Sequence, residues 1–307
     1  MSIHYVVDTD GTVYQILHEH DIAFHNGNYW YNQRAVGIEH VGYDATGYQW
    51  YNAAQYLGLA KLVAYLLKKY NIPLDHDHIM SHGTTPAPTV GSAPNHVDPG
   101  AYWLWDYYFD LINQQGVDFP IYPVNKQTVV LHASSEVTPY GSNGAETTAN
   151  FNFFNLYTSS STQSALIPNA SNGSDITDET YNVESALCYY YVATATDSAG
   201  TGDTMYEIWY GESDRLPSSQ FMDGKLAWLA VPPGAGTSGY GTSVKLTASS
   251  PAIYGEPVAS STYQVGGAPT NAVFDSTFTM TISGTLWYAI NYNHRQLWVP
   301  STEVAVI

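Results

Sequence analysis

Residues 82–100, HGTTPAPTVGSAPNHVDPG, bring together side chains fit for hydrolytic chemistry: His82 stands sixteen residues before Asp98, and His96 two before it. Three prolines and two glycines between the imidazoles exclude a regular helix or a central strand, so the polar groups converge only if a scaffold holds both ends of a loop. Imidazole plus carboxylate is the ligand set of a hydrolytic zinc site, in which three protein ligands leave a fourth position for water. The plainer alternative is a surface hydrogen bond between a loop His and a nearby Asp. A further carboxylate, Glu39, interrupts the apolar run VGIEHVG at 36–42. In a buried strand it costs free energy unless it is paired or working. On an alternating strand it simply faces solvent, with Val36, Ile38 and His40 on the other face.

The elements that must position these groups are legible around them. IHYVVDTDGTVYQIL, residues 3–17, reads as a hairpin turning at Asp10-Gly11. AFHNGNYWYNQR, residues 23–34, is polar with clustered aromatics and reads as a loop covering a ligand. Residues 52–70 form the clearest helix: Leu59, Leu62, Val63, Leu66, Leu67 and Tyr70 make one apolar stripe. Asn52 with Gln55 offers a capping box, and Lys68 and Lys69 suit the last turn before NIP ends the helix. DHDHIM reads as a short strand leading to Ser81. The aromatic residues of 101–112 read as a closing helix packed on the sheet.

Composition sets the outer limits. With 307 residues, two or three domains are expected. The net charge of -18, with nine Lys and Arg, repels phosphate backbones and anionic headgroups, so neither nucleic acid nor membrane is an expected partner. No apolar stretch of about 18 residues is present to span a bilayer, and the N-terminus lacks a signal-peptide pattern. The single cysteine, Cys188, excludes an intramolecular disulfide framework and reads as a buried small hydrophobe.

The ordered succession IHYVVDTDGTVYQI, AFHNGN, NQRAVGIEHVG, a helix ending before NIP, IMSH and HVDPG resembles the type 2 zinc N-acetylmuramoyl-L-alanine amidases, relatives of the peptidoglycan recognition proteins, over residues 3–112. The resemblance implies a mixed central sheet flanked by helices and cleavage of the amide between the muramic acid lactyl group and L-alanine. It implies that His82 and Asp98 are the second and third zinc ligands and that Glu39 is the catalytic acid or base. His96 falls where members carry Lys or His, and would stabilise the oxyanion. His25, Asn28 and Asn32 match positions lining the glycopeptide groove. One departure stands against these matches. The family's first zinc ligand is a His on a strand ahead of the HYVV-like strand, and nothing here corresponds to it. Three explanations are open: sequence ahead of Met1 is missing, His4 or His25 has taken over the ligand role, or the domain binds wall fragments without cutting them. The sheet would be one strand short, with a bare edge.

Beyond residue 118 helical periodicity gives way to short β-branched and aromatic runs. MYEIWYG (205–211) with KLAWLAVP (225–232) is echoed by LWYAINYN (286–293) with RQLWVPSTEVAV (295–306), and FNLYTSSSTQSALIP has its counterpart in SSPAIYGEP. Such repetition argues for tandem small barrels and resembles bacterial SH3-like wall-binding domains. Trp209, Trp228, Trp287 and Trp298 are expected in their cores, the run Tyr189, Tyr190 and Tyr191 exposed, and residues 169–180 a long loop. The expected architecture is an α/β amidase domain over 1–118, N-terminally incomplete, then all-β SH3-like domains over 119–236 and 237–307. The expected function is a zinc-dependent peptidoglycan hydrolase acting at the bacterial cell wall, outside the cell. The alternatives are a non-catalytic peptidoglycan-binding protein and a zinc peptidase.

Overall fold

The computed structural model describes residues 1–89, 96–132, 153–167, 183–211 and 224–307. β1 (Tyr5–Val7) pairs antiparallel with β2 (Val13–Gln15), closing the expected hairpin, and parallel with β3 (Ile38–His40). The order β2-β1-β3 puts β3, and Glu39 with it, at a sheet edge.

Short helices α1 (Tyr29–Asn32) and α2 (Gly47–Trp50) precede the long α3 (Ala53–Tyr70). The Asn52 side chain caps α3 by accepting from the amides of Ala54 and Gln55, and Asn71 ends it in the left-handed region. The reciprocal half of the capping box is not made. Gln55 instead donates to the Val41 carbonyl at 2.8 Å, tying the helix start to the strand that carries Glu39. α4 (Trp105–Gln114) packs against α3, and Val7, Leu59, Val63, Trp103, Trp105 and Ile112 share one core. Each such large side chain stabilises the fold by roughly 1.5–3 kcal/mol.

Two expected elements differ. Residues 75–79 are a turn instead of a strand, because the Asp75 carboxylate accepts from the His78 amide at 3.0 Å and its carbonyl from Ile79. Residues 23–34 are not wholly a loop over a ligand: they contain α1, whose Trp30 and Tyr31 are buried against the C-terminal part of the chain.

Twenty strands are described in all, and seventeen of them follow residue 123. In chain order the next are β4 (Val124–Leu131), β5 (Phe153–Phe154), β6 (Leu156–Tyr157), β7 (Val183–Glu184), β8 (Cys188–Tyr190), β9 (Ala193–Thr196), β10 (Thr204–Tyr210), β11 (Lys225–Val231) and β12 (Gly236–Tyr240). The last group is β13 (Thr242–Leu246), β14 (Ala252–Tyr254), β15 (Gln264–Gly267), β16 (Val273–Ser276), β17 (Thr279–Ile282), β18 (Thr285–Tyr292), β19 (Arg295–Pro300) and β20 (Val304–Val306). β12 pairs with β4, whereas β13 pairs with β16 and β20.

The repeat read in the sequence has a counterpart in the sheets. One runs β6-β11-β10-β9, and the other contains β14-β19-β18-β17 in the same order. Tyr157 lies opposite Trp228 in the first and Tyr254 opposite Trp298 in the second. The sheets are open among the described residues. Trp287 and Trp298 are buried, whereas Trp209 and Trp228 are half-buried. Tyr189 is also buried, its hydroxyl donating to the Asn293 carbonyl, so the expected exposed run reduces to the half-exposed Tyr190 and Tyr191. Residues 169–180 lie outside the described residues.

Candidate metal centre

His82, His96 and Asp98 converge in the fold. Each offers one ligand atom, and the three atoms lie within 4.8 Å of one another. His82 Nδ1 is 3.4 Å from one Asp98 oxygen and His96 Nδ1 is 3.3 Å from the other. The imidazoles stack with centroids 4.2 Å apart. Burial opposes ionisation of Asp98, but the hydrogen bond and charge of His82, helped by His96, hold its carboxyl below the usual value. His82 Nε2 is buried with no hydrogen-bond partner among the described residues. A buried nitrogen in that state costs free energy unless something binds it. Two imidazoles and an ionised carboxylate at this spacing fit a zinc ion with three protein ligands.

The backbone around the cluster is fixed from within. The Gly83 amide donates to the Asp98 carbonyl at 3.0 Å and the Thr85 amide to the His82 carbonyl at 3.3 Å, joining the two limbs of the loop. Gly100 follows with φ +79°, and a Cβ there would meet the Asp44 side chain at 3.0 Å, so this bend requires glycine. Glu39 is exposed on the edge strand. Partial desolvation and the charge of Asp98 push its pKa up, against the opposite pull of His82, so the carboxylate is electrostatically part of the cluster.

The remaining candidates have other occupations. His4 is buried and both ring nitrogens are engaged: Nδ1 accepts from the Gly37 amide at 2.9 Å and Nε2 donates to the Asp21 carbonyl at 3.0 Å. It is therefore no substitute ligand. His25 is outside the three-residue group, with Nδ1 3.2 Å from the Ala23 carbonyl. Burial, then the neighbouring His4 and His82, lower its pKa to about 4, so it is neutral. A Cβ at Gly37 would fall 1.9 Å from the His25 ring, which is why the strand can pass so close. Asn28 is fully buried, caps α1 and donates to the carbonyls of Pro86 and Gly255. Asn32 is buried and accepts from the amides of His25 and Asn26. Both asparagines thus hold the 23–34 segment in shape, while Asn26 reaches Thr85 at 2.9 Å and joins that segment to the metal loop.

Residues from far along the chain support the loop from behind. Glu184 on β7 accepts from Trp105 Nε1 at 2.5 Å and from Thr84 Oγ1 at 3.1 Å. Burial raises its pKa to about 7, and burial lowers that of adjacent His76 to about 4. Between those values both are uncharged, and their 3.7 Å contact is not an ion pair. Arg295 on β19 is buried and donates through Nη1 to the carbonyls of Gly83, Thr85 and His96. Sequence reasoning assigned neither residue to the site. The one available signal was a cation at the head of the apolar strand RQLWVP in a chain poor in Lys and Arg.

Comparison with known proteins accords with this geometry. Residues 1–101 match the N-acetylmuramoyl-L-alanine amidase family. The chain is also similar to N-acetylmuramoyl-L-alanine amidase A of Achromobacter lyticus, with 27% identity over 133 residues, covering 38% of this chain and 71% of that protein. The segment matched by that family model includes Glu39, His82, His96 and Asp98.

Proposed function

We propose that this protein is a zinc-dependent peptidoglycan hydrolase that cleaves the amide between N-acetylmuramic acid and L-alanine. The observation that carries the reading is the convergence of His82, His96 and Asp98 beside Glu39 within the family-matching segment. His82 and Asp98 would hold the ion. When bound, zinc supplies carbonyl polarisation and a water acidified to a pKa of about 7. Glu39 would accept a proton from the attacking water and return it to the leaving amine, work suited to a carboxylate whose pKa is raised. His96 has two candidate roles, third ligand or oxyanion donor. The second is typically worth about 3 kcal/mol to the transition state.

The β units would tether the enzyme to the wall outside the cell as SH3-like modules. Trp287 and Trp298 are buried in the second unit, so half-exposed Trp228, Tyr190 and Tyr191 of the first are the aromatic candidates for wall contact. No helix among the described residues is long and apolar enough to cross a membrane.

The test is digestion of purified peptidoglycan with and without a zinc chelator, reading new L-alanine amino termini. Release that stops on chelation and returns with zinc is expected. Glu39→Gln should keep zinc and lose roughly 10²–10⁴-fold in rate, while His82→Ala should lose both. His96→Ala decides that residue's role: weakened zinc binding marks a ligand, whereas unchanged binding with slowed turnover marks the oxyanion donor. Binding to the wall with no release in any sample would make the protein a recognition module instead.

A further inference from the structure

We propose that Arg295, in the second β unit, is a positioning residue for the metal centre, so that this unit completes the site as well as following it in the chain. The inference rests on reading His82, His96 and Asp98 as the metal-binding group. One guanidinium nitrogen spans both limbs of the loop: it donates to the carbonyls of Gly83 and Thr85, which closely follow His82, and at 3.2 Å to the carbonyl of His96 itself. The next amide along β19, that of Gln296, donates to the Thr84 carbonyl at 2.9 Å. Three consecutive loop carbonyls and that of His96 are thus gathered by two residues more than 190 positions away in the sequence.

Glu184 accepts from the Thr84 hydroxyl, so a carboxyl from the first β unit and a cation from the second grip the same turn. Gathered carbonyls with no cation would repel one another and turn out toward water, and the imidazole of His96, with that of His82 next to Gly83, would follow. Groups that orient metal ligands from behind typically change metal affinity by about 10- to 100-fold when removed. Arginine suits the task because its fixed fork keeps its charge when buried and presents several donors at once.

The experiment uses the full chain carrying Arg295→Met, Arg295→Lys or Trp298→Phe. The last removes the Trp298 indole that donates to Tyr31 at the same junction without touching the loop. Amide hydrogen exchange at Gly83 and Thr85 is followed in metal-free protein, and zinc affinity by competition with a chromogenic chelator. Arg295→Met should speed exchange at both amides by about tenfold or more and weaken zinc binding by about 10- to 100-fold. Arg295→Lys should recover part of both losses. Trp298→Phe should lower the melting temperature while leaving exchange and affinity within about twofold of the parent. Parental exchange in Arg295→Met overturns the proposal, as does a Trp298→Phe protein that loosens the loop equally. If Arg295→Met does not fold, the lysine variant decides: exchange identical to the parent's overturns the proposal and faster exchange supports it. A parent chain that takes up no zinc would instead sink the metal reading, and exchange would still decide the role of Arg295.

Discussion

The two β repeats share a strand order and differ in what their equivalent residues do. In the first, KLAWLAVP places Lys225 in solvent and leaves Trp228 half-buried. In the second, RQLWVP places Arg295 and Trp298 at 1% and 0% exposure. The cause is docking. Trp298 and Trp287 pack with Trp30 and Tyr31 of α1, the Trp298 indole donates to the Tyr31 hydroxyl at 2.9 Å, and Gln296 reaches the Asp77 carbonyl at 3.1 Å. The same strand pattern stays partly exposed in one copy and supports the N-terminal unit in the other. Burial around a repeat, more than its motif, determines its role.

The largest expected effect tests that contrast directly. Trp298→Ala should cost about 3–5 kcal/mol of stability, the usual range for truncating a buried Trp, and Trp228→Ala clearly less, both read from denaturant unfolding. Equal losses would erase the distinction between the copies. Glu184 sharpens it from the first unit's side. Its folded pKa, about 7, lies above the ordinary 4.5, so its contribution is fully present below about pH 4.5 and lost as pH rises through about 7. The loss is on the order of 3 kcal/mol. Glu184→Gln should therefore remove that fall from the stability profile, as measured by unfolding between pH 4 and 8. Smallest is Tyr31→Phe, which leaves the Trp298 indole N–H without its acceptor and should cost about 1–3 kcal/mol. A melting temperature unchanged by that substitution would mean that packing alone holds the junction.

How much of this was legible varied with the range of the interactions. The hairpin and α3 with its Asn52 cap are set by local pattern, and the sequence alone leads to them; His82, His96 and Asp98 stand out by type and spacing, while what holds them together is distant. The turn at Asp75 escaped notice because an Asp that bonds its own neighbours looks, by hydropathy, like one end of a strand. Asn28 and Asn32 resemble groove residues in type and place, yet their amides are taken up by backbone groups that come near only once the chain is folded. Arg295 and Glu184 were invisible for the same reason: no periodicity connects either to a loop 100 or more residues earlier.

The junction at Trp30, Tyr31 and Trp298 also bears on how the protein can be dissected. A boundary drawn between repeats at residue 241 looks like a natural place to shorten the chain, since β12 closes one unit and β13 opens the next. Cutting there would uncover two large aromatics of α1, deprive Asn28 of the Gly255 carbonyl and take Arg295 away from the loop. What remained would carry the whole family-matching segment and a sticky flank in place of a finished surface. In this protein the smallest portion worth expressing is larger than the smallest portion that carries the chemistry.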